Sequence, residues 1–421
     1  MSRGFASTIA IHLDGTTLEG GGQLLRIALS LSSLTRIPVH VTNIRGKRGP
    51  ISSPGKDGGL KPSHLAAVTW LANATVAETQ GMEVKSKELA FRPSPVDTQH
   101  QSVWKTVHEN SRLIRCDSHI SMSTPGSVLL ILQAILPYLL FGPSSYRERQ
   151  YSAVPLRVKV DGGTNVSNSP SIDYVSQVLL PMLSSKLGIP TIATTLHKRG
   201  WSTGGTQIGS VTFDIGPLQK GHNFPAFKFQ ERRELAKVHV SVLAPSTTAR
   251  RIIRDQVIAQ LLAFKPDAEI LFPVDEDTRN EKRWYLLLVA ETSSGYRLGR
   301  DWLYDRKTKG IRIEETCSTI VSKVVEDLKR EMNHGGCVDE YMQDQLVIFQ
   351  ALADGQAAVD SGKQEASLHT RTARWVTEQI LGINFNDDGD CEGVRFRVAE
   401  DYHTRSNPVE GIEKEIENLK I

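Results

Sequence analysis

The sequence lacks the short signatures that usually mark a nucleotide-using enzyme. It holds no G-x-x-x-x-G-K-[ST] loop, no G-x-G-x-x-G turn after a strand and no H-E-x-x-H, so any phosphate chemistry must be built another way. Cysteine is sparse: Cys116, Cys317, Cys337 and Cys391 are far apart, with no C-x-x-C spacing. That argues against a zinc ribbon or a redox motif and for free thiols in a reducing, intracellular compartment, nucleus or cytoplasm. The first residues, MSRGFASTIAIHLDG, have no long apolar core, so no secretory leader is expected. The longest apolar run, Val128 to Phe141, is too short to span a bilayer and contains Gln133 and Pro137, which makes it a buried helix and leaves no membrane role. An excess of charge is missing too. Fifty Lys and Arg against 47 Asp and Glu give +3, too little to mark a nucleic-acid binder, so local clusters must carry that argument.

What is present is concentrated. Asp14 to Arg26, DGTTLEGGGQLLR, places a carboxylate, three glycines, an amide and a guanidinium at the mouth of a helix whose apolar residues Leu24, Leu25, Ala28, Leu29 and Leu31 recur at helical spacing. A helix start offers unpaired N–H groups and glycines admit an anion to the backbone, so the stretch is a candidate phosphate site. Taken alone it reads more readily as a plain strand-to-helix turn, so other stretches must decide. Arg45 to Lys61, RGKRGPISSPGKDGGLK, is a basic Gly/Pro/Ser-rich loop.

Between these landmarks the chain alternates strands (38–44, 76–79, 88–92, 118–122, 156–160, 191–195) with helices (62–73, 128–141, 172–187), each entered through a small-residue turn. This reads as a duplicated α/β building block. Residues 219–312 read as an insert: a linker, a strand over 237–243, a helix over 246–264 with Ser246 as N-cap, and a strand over 284–290. Arg250, Arg251 and Arg254 give that helix a basic face for solvent or RNA. Helices then return over 313–332, 339–353 and 370–381, a closing strand is expected over 393–398, and a charged tail with Ile412, Ile416 and Leu419 ends the chain.

Two later stretches could do chemistry. His369 stands at a helix start, where the dipole favours a neutral imidazole beside an anion, although a histidine beside a cap is commonly structural. Tyr341, Asp344 and Gln345 fall near one face of another helix, where a ring could stack on a purine, or where acids merely complement the dipole.

Taken together, DG…EGGGQLLR (14–26), IRGKRG (44–49), GLKPSHLAAV (59–68), STPGSVLLILQAILP (123–137), VDGGTNVSNSPSIDYV (160–175), GGTQIG (204–209), CVDEYMQDQL (337–346) and LHTRTA (368–373) resemble the RNA 3′-terminal phosphate cyclase family, in the right order along nearly the whole chain to about 398. The resemblance implies an α/β (α+β) fold. Its large domain of repeated βα units, 1–218 and 313–398, has enolpyruvyl-transferase-like architecture and is interrupted by a smaller α/β insert at 219–312, with 399–421 as a tail. It implies an enzyme that uses ATP to turn an RNA 3′-phosphate into a 2′,3′-cyclic phosphate through histidyl–AMP and RNA-pp-A. It assigns the nucleophile to His369, the adenylate pocket to Gln133, Pro170, Tyr341, Asp344 and Gln345, phosphate and RNA-end contacts to Arg26, Arg45, Arg48 and His64, and a Mg²⁺ or Mn²⁺ ligand to Glu19. RNA is the implied partner, with no obligate protein partner.

Two departures stand out: Ser63 replaces the family's usual glutamine, and the basic loop is longer than usual between Arg48 and His64. The rival readings are a cyclase-like ribosome-assembly protein, a branch lacking the histidine that this chain keeps, and a small-metabolite transferase of the same architecture, which leaves His369 and Tyr341/Asp344/Gln345 unexplained.

Overall fold

The computed structural model describes residues 9–48, 56–94, 103–142 and 154–398. The charged tail and positions 49–55 of the basic loop lie outside the described residues.

A unit of strand, helix, strand, helix, strand, strand is used twice in succession. In the first copy β1 (Ile11–Asp14) leads through α1 (Gly22–Thr35) to β2 (Val39–Thr42), and α2 (Pro62–Thr75) is followed by β3 (Glu78–Gln80) and β4 (Leu89–Arg92). The sheet order is β1-β2-β4-β3, with β1 and β2 parallel. The second copy begins with an added edge strand, β5 (Lys105–Glu109). Then come β6 (Arg112–Ser121), α3 (Val128–Phe141), β7 (Leu156–Gly162), α4 (Ile172–Tyr174), a π turn (Val175–Leu179), α5 (Leu180–Leu187), β8 (Ala193–Lys198) and β9 (Gly209–Ile215). Its order, β6-β7-β9-β8, repeats the first, again with the opening pair parallel. The duplication expected from the turns is therefore visible in the topology.

Short strands β10 (Phe224–Pro225) and β11 (Lys228–Phe229) open a third, reduced copy, and the chain then departs into a separate sheet. That sheet is built from β12 (Leu235–Ala244), β13 (Glu269–Asp277), β14 (Tyr285–Thr292) and β15 (Arg297–Leu303) in the order β13-β12-β14-β15, with α6 (Thr247–Phe264) crossing between the first two. After α7 (Ile313–His334), α8 (Glu340–Leu352), β16 (Ala353–Asp354), β17 (Gln356–Val359), α9 (Leu368–Leu381) and β18 (Cys391–Glu392) complete the third copy. In it β11 pairs parallel with β17, and β17 antiparallel with β18. The expected strand at 393–398 is not formed: β18 ends at Glu392, and the backbone N–H groups of Val394, Arg395 and Phe396 turn back to carbonyls at the end of α8 and in β16.

Two hydrophobic cores follow from this order. The larger joins the three copies; the smaller gathers Val238, Val240, Ile253, Leu288 and the buried face of α7. Helix α7, assigned by its sequence position to the segment after 312, thus packs on α6 and β15. Arg232 ties the two chain crossings together, donating to the carbonyls of Gly336 at 3.1 Å and Met332 at 2.9 Å.

Local chemistry explains how the site-bearing helices are held. Ser127 caps α3, its Oγ accepting from the N–H groups of Leu129 and Leu130, and the apolar run behind it is buried on nearly every side. Helix α1 is packed against α2, α3 and α9. Its polar residues Gln23, Ser30, Ser32 and Ser33 are consequently as buried as its leucines, which marks a helix enclosed all round rather than amphipathic. The basic face foreseen on α6 is occupied in part: Arg250 and Arg254 each pair with Asp275 of β13 at 2.8 Å, while Arg251 is exposed.

Candidate active site

The turn from β1 into α1 is held by glycine. Gly20 has φ +58, and a Cβ there would collide with the carbonyl of Gly15. Its own carbonyl accepts the N–H of Arg45 at 2.9 Å, strapping the basic loop to this turn. The tight path places Glu19, its side chain 7% exposed, where Oε2 accepts from Gly21 N–H at 2.6 Å and Oε1 accepts from Arg48 at 2.9 Å. Asp14, the first carboxylate of the stretch, faces elsewhere. It accepts from Thr16 N–H at 2.8 Å and Asn43 at 3.1 Å, closing the turn.

One turn into α1, buried Arg26 donates from Nη2 to Gln23 Oε1 at 2.6 Å, and the amide of Gln133 on α3 reaches the same oxygen at 3.5 Å. Nε of Arg26, Nε2 of Gln23 and Oε1 of Gln133 have no partner, a cluster of buried polar atoms facing one another without full satisfaction. A Cβ on Gly22 would lie 2.6 Å from Nη1 of Arg26 and 2.8 Å from Nε2 of His64, so glycine is what lets these two side chains meet over the helix mouth. His64 sits in the first turn of α2, its Nδ1 3.3 Å from the N–H of Lys61. Burial, reinforced by Arg26, Arg45 and Lys61, pushes its pKa down to about 3, so it is neutral. Burial and the Arg48 charge lower Arg45; burial and the Arg45 charge lower Lys61. Ser63 lines the same small cavity as Arg26 and His64.

Helix α9 brings the histidine from the far end of the chain. Ser367 Oγ accepts the Thr370 N–H at 3.2 Å, which starts the helix two residues before the expected Thr370 and puts His369 in its first turn, open to solvent on one side and set against the site on the other. Because α9 packs on α1, Thr372 Oγ1 accepts the backbone N–H of Glu19 at 3.1 Å. His369 therefore feels Glu19, Arg26 and Arg48 together. Burial lowers its pKa, with Arg26 and Arg48 adding to the effect and Glu19 opposing it. An uncharged imidazole in the field of two guanidinium groups is suited to attack an electrophilic centre carried by a bound anion.

Asp344, on α8, is buried and faces Arg26. Burial pushes its pKa up to about 7, while Arg26 and a 2.6 Å hydrogen bond from Gln345 pull it down. Tyr341, 38% exposed, lies edge-on to Tyr174 with ring centres 5.8 Å apart. Pro170 is half-buried just before Ser171, which caps α4. Thus Glu19, Arg26, Arg45, Arg48, His64, Gln133, Asp344, Gln345 and His369 form one connected neighbourhood, with Tyr341 at its edge on the same helix as Asp344. Pro170 reaches it only through its neighbours. Gln23, Lys61 and Thr372 join it without having been singled out as site residues. A buried amide on an apolar helix face is the signal that marks Gln23. A wider cleft of about 500 Å³, lined by Arg199, Trp201, Gln207, Glu276, Arg279 and Arg283 among others, shares none of these residues.

Among the described residues, no helix is long and apolar enough to cross a membrane, and no group of three or more His, Cys, Asp or Glu could hold a metal ion. The family profile described as RNA 3′-terminal phosphate cyclase matches residues 17–386. The chain is 30% identical to the RNA 3′-terminal phosphate cyclase of Nitrosospira multiformis over 94% of its length and 98% of the relative's. It is 31% identical to the cyclase of Desulfurococcus amylolyticus (86% and 90% of the two chains) and 30% identical to that of Drosophila melanogaster (89% and 92%).

Proposed function

The chain belongs to the RNA 3′-terminal phosphate cyclase family, and from that premise we propose that it uses ATP to convert an RNA 3′-phosphate into a 2′,3′-cyclic phosphate, with His369 as nucleophile. The supporting observation is the meeting of α1 and α9, which sets a neutral-leaning His369 in the combined field of Glu19, Arg26 and Arg48. In this reading a ring nitrogen of His369 attacks the α-phosphorus of ATP and pyrophosphate leaves. The N–P bond then breaks as AMP passes to an oxygen of the RNA 3′-phosphate. The adjacent ribose 2′-hydroxyl loses its proton, attacks that phosphorus and expels AMP. Nucleophile and target share one ribose, so closure needs positioning more than a strong base.

Arg26, Arg45 and Arg48 hold phosphate oxygens, for which planar guanidinium forks are suited, and neutral His64 contacts them without adding charge. Gln133, Pro170, Tyr341, Asp344 and Gln345 receive the adenylate. Glu19 presents a single carboxylate, which fits a cation shared with phosphates and water rather than an all-protein cage. It would hold Mg²⁺ or Mn²⁺, which supplies charge neutralisation on the phosphates. Four unpaired buried cysteines fit action in a reducing compartment, nucleus or cytoplasm. We draw the inserted unit as 230–334, because β10 and β11 pair with strands of the third copy and α7 shares the second core.

Incubation with α-labelled ATP and Mg²⁺ or Mn²⁺ is expected to give an acid-labile labelled protein, absent in His369→Ala. Equal labelling of the variant would remove His369 as nucleophile. Conversion of 3′-phosphorylated RNA to a cyclic end, with 3′-hydroxyl RNA inert, tests the overall reaction.

A further inference from the structure

The outer strand of the inserted sheet, β15, meets the start of α8 through two consecutive residues, Gly299 and Arg300. The backbone N–H of Gly299 donates to Oδ2 of Asp339 at 2.6 Å, and Asp339 caps α8 by accepting the Met342 N–H at 2.8 Å. Arg300 lies over the ring of Tyr341, 4.9 Å from its centre. Its guanidinium is fixed from two sides: Nη1 donates to Glu340 at 3.1 Å, and Nη2 is paired with Glu331 of α7, whose side chain is 1% exposed. Asp301, on the opposite face of the strand, accepts from Tyr285 Oη at 2.8 Å, and that hydroxyl also meets Ser171 Oγ, next to Pro170. Adjacent residues of one insert strand therefore reach toward both Tyr341 and Pro170.

A half-exposed tyrosine at the first turn of a helix has a ring free to turn unless something fixes it. A guanidinium locked between two carboxylates and laid on the ring does so, together with the nearly perpendicular Tyr174, and the 38% of Tyr341 that stays exposed is what a planar partner can reach. We infer that Arg300 is a positioning residue for nucleotide binding: it holds the Tyr341 ring so that its exposed part meets the adenine of ATP, and the insert thereby supplies an outer wall of the nucleotide pocket. This rests on the reading of Tyr341 and Pro170 as adenylate contacts.

The test is the KM for ATP and the kcat of cyclisation, measured on the full chain for Tyr341→Ala, Arg300→Lys, the pair Arg300→Met/Glu331→Gln, and that pair combined with Tyr341→Ala. The paired change removes the cation together with the buried carboxylate it is paired with. It is expected to raise KM about five- to tenfold with kcat within about twofold, and to add nothing when combined with Tyr341→Ala. Arg300→Lys keeps the charge but loses the planar stack, and carries the same effect at about two- to threefold. A wild-type KM in the lysine or the paired variant, while Tyr341→Ala raises it, overturns the inference and leaves the adenylate pocket standing. An equal rise from the paired change with and without Tyr341→Ala also overturns it, since the arginine would then act on the fold in general. If Tyr341→Ala itself binds ATP normally, the pocket reading fails first and the role of Arg300 falls with it.

Discussion

His64 and His369 share a cationic neighbourhood, and both are driven toward the neutral form, with different consequences. Since the pKa of His369 lies below the ordinary value of about 6.5, the uncharged nucleophile predominates at neutral pH. The acid limb of self-adenylylation is accordingly expected below pH 6.5; single-turnover labelling across pH 5 to 8 checks it, and a limb at or above 6.5 contradicts the lowered pKa. His64, at about 3, bears on stability. Between its unfolded value near 6.5 and its folded value the unfolded chain binds the proton and the native chain does not, so falling pH favours unfolding by up to about 1.4 kcal/mol per unit. Asp344 at about 7 and Asp301 at about 6 work in the opposite sense over that window, because the native chain protonates them first. The difference between proteins isolates the histidine: His64→Gln should lose less stability than wild type between pH 6.5 and 4.5 in denaturant titrations. At this scale the sequence was informative where a residue type is costly to place without a reason, as with Arg26 or His369. It was silent on Arg300, because a strand arginine reads as surface until its carboxylates at 331 and 340 are known to face it.

Among the elements, the mouth of α1 shows how little room the site has. Gly22 has no positive φ to forbid alanine, and alanine favours a helix, so Gly22→Ala should leave the thermal midpoint within a few degrees of wild type. Its methyl group would nevertheless displace Arg26 and His64, and a shift of that size is expected to cost about tenfold or more in ATP-dependent activity. Calorimetry with a kinetic assay separates the two effects; a loss of folding alone would refute the steric account. Helix periods, caps and turn residues made α1, α2, α3, α6 and α9 legible to within a few residues. Strand β13 was missed because Pro273 interrupts it and its side chains are mostly exposed, which an edge strand tolerates and an interior strand does not. The reading at 393–398 failed for the converse reason: Val394, Phe396 and Val398 alternate like a strand, yet the backbone there bonds to the end of α8, β16 and His222 instead of pairing with a strand.

For the whole molecule, both cores are closed over thiols. Cys116, Cys317, Cys337 and Cys391 are buried and unpaired, and burial pushes each pKa up, to about 11 or 12. Native protein should react slowly with a thiol reagent and yield four thiols per chain only on denaturation; fast reaction at neutral pH would show that a core opens. The topology also locates the insert within the threefold repeat: it stands between β11 and α8, where the first copy has the glycine turn between β1 and α1. Arg232 holds the departure and return of the chain side by side. In the grammar of the repeat the whole insert is one overgrown turn, folded back so that Leu243, Leu287, Val289 and Leu298 close the larger core. A turn that has grown this large lets the far side of the repeat adjust the grip on ATP through Tyr341 while the histidine, the glycine turn and the arginines stay untouched.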